Sequence, residues 1–169
     1  MVIRDAVAGD AAAIAAIYNA SILAGDATMD QRPHTDDDVL RWLATLSERE
    51  ALLVLDAGDR LLGWGIVRRY SDRPGYRFTC ETSLYLDRAF RGRGLGTRLQ
   101  TALMDRCRTL GYHHIVAKIW ASNTASLALH RKLGFEPVGV QREIGHCDGR
   151  WIDVVILQCL LPLPPSVAR

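Results

Sequence analysis

Phe90-Arg91-Gly92-Arg93-Gly94-Leu95-Gly96-Thr97 is the stretch on which the fold turns, because of what stands on either side of it. Upstream, Thr79 to Leu86 alternates as a strand. Downstream, Leu95, Leu99, Leu103 and Leu110 repeat along one face of a long helix, and Ile115 to Trp120 reads as another strand. Strand, helix and strand make a β-α-β unit, with the glycine-rich turn at the mouth of its helix. Glycines at 92, 94 and 96 let the backbone approach a ligand closely, and the amides of a helix N-terminus present unpaired N–H donors at the positive end of the dipole. The turn is a candidate diphosphate cradle, with Arg91 and Arg93 as mobile charge at its rim. Alone, the string also reads as an ordinary glycine-rich turn.

Two other phosphate-binding templates fail. The dinucleotide fingerprint spaces its glycines by two and then three, and the P-loop needs a lysine directly after its last glycine. Val116-Ala117-Lys118 matches a kinase lysine triplet, but no H-R-D or D-F-G element follows it.

Working outward, Val2 to Asp5 reads as a short strand leading to a helix with Ile14, Ile17, Tyr18 and Ile22 on one face and Asp10 in its first turn. Gly25 to Pro33 breaks that pattern. Thr35 with Asp38 forms a capping-box signature for a second helix carrying Val39, Leu43 and Leu46. Ala51 to Asp56 and Leu61 to Tyr70 are apolar runs joined by Ala57-Gly58-Asp59-Arg60, an antiparallel hairpin, and Ser71 to Gly75 is a polar loop. After the β-α-β unit, Asn123 to Leu133 is helical and Gly134 stops it. Phe135 to Ile144 and Trp151 to Leu161 flank Asp148-Gly149 as a closing hairpin. The expected fold is a mixed α/β (α+β) single domain over residues 1–162, with a central, mostly antiparallel sheet flanked by helices. Residues 163–169 are expected to fray.

Composition is that of an ordinary globular protein. Of 169 residues, 49% are hydrophobic and 24% charged, and the net charge of +2 gives no reason to expect a nucleic-acid partner. The positive charge is almost all arginine, which matches a coding bias rather than arginine chemistry. No secretory pattern opens the chain and no apolar run reaches membrane-spanning length, so a cytoplasmic protein without a membrane partner is expected. Cys80, Cys107, Cys147 and Cys159 are widely spaced and read as buried thiols. No histidine falls at metal-ligand spacing, so no metal is expected.

The succession of strand, R-x-x-G-x-G, helix and strand, followed by Asn123-Thr124-Ala125-Ser126 and Leu133-Gly134-Phe135, resembles the acetyl-CoA core of the GNAT acetyltransferase superfamily. Ile3 to Ala6, Ile17 to Asn19, Glu81 to Leu86, Ser126 to Phe135 and Gly149 to Asp153 resemble its phosphinothricin and methionine-sulfoximine acetyltransferase branch, over nearly the whole chain to about Leu161. The resemblance implies a GNAT-like domain and acetyl-CoA as cosubstrate. Leu84, Tyr85 and Leu86 would meet the pantetheine arm, Arg91 through Gly96 (Arg91, Gly92, Arg93, Gly94, Leu95 and Gly96) the diphosphate, and Asn123 with Ser126 the rest of the arm. Asn123 could instead simply cap its helix.

Acyl transfer to an amine needs a proton acceptor. Glu81 is the first candidate, since period-two alternation places it on one face with Ser83 and Tyr85, and a dry pocket would raise its pKa. A surface or salt-bridged glutamate is the competing reading. His130 lies two helical turns after Asn123, where the branch carries histidine, and reads either as a proton relay or as a structural histidine. The resemblance implies substrate contacts just before the catalytic strand. Tyr76 and Arg77 fall there, Arg77 as a carboxylate clamp or a solvated side chain. Met29 stands where relatives often place an aromatic residue. The activity implied is N-acetylation of a small amino-acid-like amine by direct attack, in a homodimer. Acetylation of a protein N-terminus, polyamine or antibiotic amine stays open, as does a non-catalytic acyl-CoA sensor.

Overall fold

A computed structural model describes residues 1–162; the tail expected to fray, 163–169, lies outside the described residues. The chain runs β1 (Val2–Asp5), α1 (Ala11–Ala24), α2 (Asp36–Thr45), β2 (Ala51–Asp56), β3 (Leu61–Arg69), β4 (Thr79–Leu86), α3 (Leu95–Thr109), β5 (His114–Trp120), α4 (Thr124–Lys132), β6 (Glu136–Cys147) and β7 (Arg150–Leu160). The strands form one sheet in the order β1-β2-β3-β4-β5-β7-β6. Its neighbours are antiparallel except for β4 and β5, which the crossover helix α3 makes parallel.

The β2–β3 hairpin sits near the middle of the sheet with helices on both faces, so almost all of it is buried, as its unbroken apolar runs require. On one face, Leu99, Leu103 and Cys107 of α3 and Leu127 of α4 pack on Val67, Ile115 and Leu157. On the other, Ile14, Tyr18 and Ile22 of α1 and Val39 of α2 pack on Val54, Trp64 and Ile66.

Local chemistry sets the boundaries. Thr35 Oγ1 accepts the Asp38 N–H (3.2 Å) and the Asp38 carboxylate accepts the Thr35 N–H (2.8 Å), the expected capping box. Such a cap stabilises a helix by about 1 kcal/mol. Asp10 stands just before α1 instead of in its first turn. Its carboxylate takes two hydrogen bonds from the Arg4 guanidinium (2.8 and 2.9 Å) and one from the Val7 N–H (2.8 Å), tying β1 to the helix entrance. The Ser71–Gly75 loop closes in a short 3-10 turn, Pro74–Tyr76. The closing hairpin turns on Asp148 (φ +50°) and Gly149 (φ +73°), as its sequence suggests. β6 continues three residues beyond the expected Ile144, because a bulge between Gln141 and Gly145 interrupts the alternation. There Glu143 takes φ +54° and its N–H donates to Asp153 Oδ1 (2.8 Å). All four cysteines are buried free thiols, Cys80 and Cys107 with their sulfurs 3.5 Å apart. No described helix is long and apolar enough to cross a membrane.

Candidate active site

The parallel strands β4 and β5 pair only at Thr79↔His114, Cys80↔Ile115 and Glu81↔Val116. Beyond that point β4 stays with β3 as far as Leu86, and β5 stays with β7 as far as Trp120, so the two diverge. The edge of β4 from Thr82 to Leu86 therefore has no strand beside it, and its outward backbone groups are available to a ligand.

A cleft of about 310 Å³ opens along this edge. Leu84, Tyr85 and Leu86 form one wall, Arg91, Gly92, Gly94 and Gly96 one end, and Asn123 and Ser126 the side toward α4. Gly92 and Gly94 both have φ +76°, a left-handed backbone that L side chains avoid, and a Cβ on either would meet nothing within 4 Å. The turn thus takes a shape that glycine adopts without strain and faces open space at the start of a 15-residue helix, which fits an anion cradle. Gly96 has a different reason: its Cβ would lie 2.6 Å from Leu129 Cδ1, so the small residue lets α3 approach α4.

The other residues proposed for the cleft divide. Leu95 turns into the core beside Leu55 and Leu62. Arg93 does not line the cleft; its guanidinium lies 5.2 Å from the Phe90 ring centroid. Arg91 does line it, and its Nη1 lies 3.4 Å from Asp26, which also holds Arg88 (2.7 Å). Asn123 Oδ1 accepts the Ser126 N–H (3.1 Å), which is the capping reading, and the residue also borders the cleft.

Glu81, Ser83 and Tyr85 share the opposite face, as their alternation requires, and border two cavities of about 740 and 380 Å³. Glu81 is paired: its Oε2 lies 2.7 Å from Lys118 Nζ, and the residue still borders both cavities. The larger cavity takes in Met29 and Tyr76. Met29 Sδ is 3.8 Å from Cys147 Sγ, and the Tyr76 ring is 5.3 Å from that of Tyr70. Arg77 is not brought in. It follows the 3-10 turn Pro74–Tyr76, and its guanidinium stacks 4.4 Å from the Phe78 centroid, outside both cavities. This placement is that of the solvated alternative given for it.

The smaller cavity is walled by Tyr18, Trp42, Trp64 and Tyr85 and carries Asp30, His34 and Arg68. The Tyr18 hydroxyl donates to Asp30 Oδ2 (2.8 Å), which also meets His34 Nε2 (2.8 Å). Burial pushes the Tyr18 and Tyr85 phenols well above their ordinary pKa, so both are neutral donors at physiological pH.

His130 is 4% exposed and sits across β4 from these cavities. Its Nδ1–H donates to the Ser126 carbonyl (2.8 Å), which fixes the tautomer and leaves the Nε2 lone pair free. Burial lowers its pKa, opposed by that hydrogen bond, so the ring is neutral near pH 7. It borders a narrow space of about 50 Å³ that shares Ser83, Tyr85 and Lys118 with the 740 Å³ cavity and Leu84, Tyr85 and Asn123 with the cleft. Tyr85 borders all four spaces and is their common wall.

Sequence reasoning missed Asp30, His34, Trp64, Arg68 and Lys118, which converge only through the tertiary fold. Lys118 alone left a signal: it is a charge in the middle of an apolar strand.

With this geometry in place, the comparisons are direct. Residues 16–135 match the Acetyltransferase (GNAT) family model. The chain is 36% identical over 166 residues to an L-methionine sulfoximine/L-methionine sulfone acetyltransferase of Pseudomonas aeruginosa, covering 97% of this chain and 95% of that protein. It is also 36% identical over 159 residues to a phosphinothricin N-acetyltransferase of Alcaligenes faecalis, covering 93% and 79%. A GNAT superfamily phosphinothricin acetyltransferase from Sinorhizobium meliloti, solved in complex with acetyl-CoA, superposes with a TM-score of 0.91 at 34% identity, over 99% of this chain and 91% of that one. The diverging strands, the glycine turn and these likenesses agree: the chain belongs to the acetyltransferase (GNAT) family.

Proposed function

We propose that the protein transfers an acetyl group from acetyl-CoA to the primary amine of a small amino-acid-like molecule, of the phosphinothricin and methionine-sulfoximine type for which its relatives are named, by direct attack in a ternary complex. The observation that carries this reading is the fork after Glu81. It sets the cleft lined by the glycine turn and the 740 Å³ cavity on two sides of one strand, with Tyr85 between them.

Acetyl-CoA supplies an activated acyl carbonyl and a thiolate leaving group. The chain's own residues do the rest. The open edge of Leu84–Leu86 holds the pantetheine arm by backbone hydrogen bonds. The amides of Gly92 to Gly96, with Arg91, hold the diphosphate, and Asn123 and Ser126 border the arm. Glu81 accepts the proton the amine must lose, directly or through water. Neutral His130, with Nε2 free, exchanges protons at the end of the narrow space behind β4. Met29 and Tyr76 shape the acceptor cavity.

Two further features belong to the same reading. The protein works in the cytoplasm, where its four thiols stay reduced. It works as a homodimer, for which the exposed Val138, Val140, Ile144 and Trp151 of the closing hairpin supply an apolar surface; light scattering reporting a monomer would remove that part.

The test is thiol release from acetyl-CoA with a panel of free amino acids, methionine sulfoximine, methionine sulfone, phosphinothricin and polyamines. Release with the amino-acid-like amines is expected. Calorimetric binding of acetyl-CoA with no thiol released by any amine would overturn the reading in favour of a sensor.

A further inference from the structure

Lys118 is the one Lys or Arg among the described residues bordering the 740 Å³ cavity. Arg77 is stacked on Phe78, and Arg68 and Arg69 border the smaller cavity instead, Arg69 paired with Asp72 (3.0 Å). Around Lys118, Ile115, Val116, Ala117, Ile119 and Trp120 are all buried; the other polar residue of β5, His114, also borders the cavity, but burial lowers its pKa and keeps it neutral, so the strand delivers a single charge to the site. Its ammonium lies 2.7 Å from Glu81 Oε2 and 6.0 Å from the Tyr70 ring centroid. The two side chains are 46% and 28% exposed, and a pair this solvated contributes little to folding, so its partners can be exchanged at small cost.

An α-amino acid carries the complementary pair of charges. Standard bond lengths place its nitrogen about 2.5 Å from its carboxyl carbon, close to the spacing of the Glu81–Lys118 pair. Resting on the acyl-transfer reading above, we propose that Lys118 is the anchor for the acceptor's α-carboxylate and that the ion pair exchanges partners with the incoming zwitterion. Glu81 receives the substrate ammonium and Lys118 its carboxylate, which holds the nitrogen beside the base that removes its proton. The substrate class is then a free α-amino acid with an unblocked carboxylate. A polyamine brings a second cation toward Lys118, and a peptide N-terminus brings no carboxylate; both are disfavoured.

The experiment is a cycle of acetylation kinetics: wild type and Lys118→Met, each with methionine sulfone and with its α-carboxamide. Losing a charge-assisted contact corresponds to about 10- to 100-fold in KM. The wild type should show that rise for the amide, and Lys118→Met should show it for the free acid. The variant's KM for the amide should stay within about 3-fold of wild type, with kcat little changed, and Lys118→Arg should recover most of the loss. Acetyl-CoA calorimetry on each variant checks that it is folded. Equal KM rises on acid and amide, or a loss confined to kcat, would overturn the anchor and leave Lys118 acting through Glu81 alone. The two readings fail differently: wild-type protein that releases no thiol sinks acyl transfer, whereas active wild type that treats acid and amide alike sinks only the Lys118 assignment.

Discussion

Gly94→Ala isolates the backbone of the cofactor turn from every other feature of the site. The residue has φ +76° and is the N-cap of α3, and an added Cβ meets no protein atom within 4 Å, so the substitution introduces no clash in the free protein. What it introduces is left-handed strain, about 1–2 kcal/mol for a non-glycine residue. The variant has two ways to carry that cost. It can keep the turn, in which case the free protein loses about 1–2 kcal/mol of stability and its affinity for acetyl-CoA is unchanged. Or it can relax the turn when empty and restore it on binding, in which case stability is spared and Kd rises about 5- to 30-fold. By linkage, the loss summed over the acetyl-CoA-loaded protein is the same either way. Urea unfolding with and without saturating acetyl-CoA, together with calorimetry, measures both routes. A loaded variant within about 0.5 kcal/mol of wild type would refute the idea that the cradle depends on a left-handed turn at this position.

Glu81→Gln keeps the side-chain shape and removes the proposed proton acceptor. Turnover in steady-state thiol release should fall about 10²- to 10⁴-fold, with the acetyl-CoA Kd within about 2-fold by calorimetry. Asp10 has its pKa held below the ordinary 3.8, chiefly by the Arg4 hydrogen bonds. Its contribution is therefore complete at neutral pH and is lost as the pH falls below the ordinary value and through the depressed one. Asp10→Asn should lower the urea midpoint at pH 7 and leave a shallower decline between pH 5 and 3. For His130 the native state resists protonation because of burial while the unfolded chain takes a proton near 6.5, so stability falls as the pH drops below that value. His130→Gln should flatten the stability curve between pH 7 and 5, read by denaturant midpoints across that range.

The two halves of the site were unequally visible in the sequence, for a physical reason. The cofactor half is built mostly from backbone. The glycine turn and the helix N-terminus are encoded in Phe90 to Thr97 as one contiguous pattern, so local reasoning finds them, whereas the open edge of β4 depends on β5 leaving it for β7 and is implied only by the family resemblance. Even there, side chains misled: Arg93 and Leu95 fall in the motif but turn toward Phe90 and the core. The acceptor half is built from side chains on β3, β4, β5 and the α1–α2 connection. No local rule places Asp30, Arg68 and Lys118 around Glu81. Lys118 was readable as a charge inside an apolar strand, yet the triplet it belongs to draws attention to a kinase pattern that the chain does not otherwise carry. Arg77 shows the converse limit: its nearness in sequence to β4 left both a clamp and a solvated side chain open, and the side chain stacks on Phe78 outside both cavities.

One short segment, Glu81 to Leu86, serves three directions at once, and the register of β4 is what allows it. Odd-numbered residues Glu81, Ser83 and Tyr85 face the acceptor cavities. Thr82 faces the other way, taking a hydrogen bond from buried Gln100 (3.1 Å), and Leu84 and Leu86 pack on the α3 core. The backbone between them meets the cleft at the free edge. A slip of one residue against β3 would drive Glu81 and Tyr85 into the apolar core and turn Leu84 toward the amine. That slip is opposed by the continuous ladder from Gly63↔Leu86 to Arg69↔Cys80 and by the burial of a carboxylate that it would require. The same ladder holds β4 in place where β5 leaves it. Glu81 is the last residue paired on both sides, so the carboxylate proposed as proton acceptor stands on rigid sheet at the point where the cleft begins.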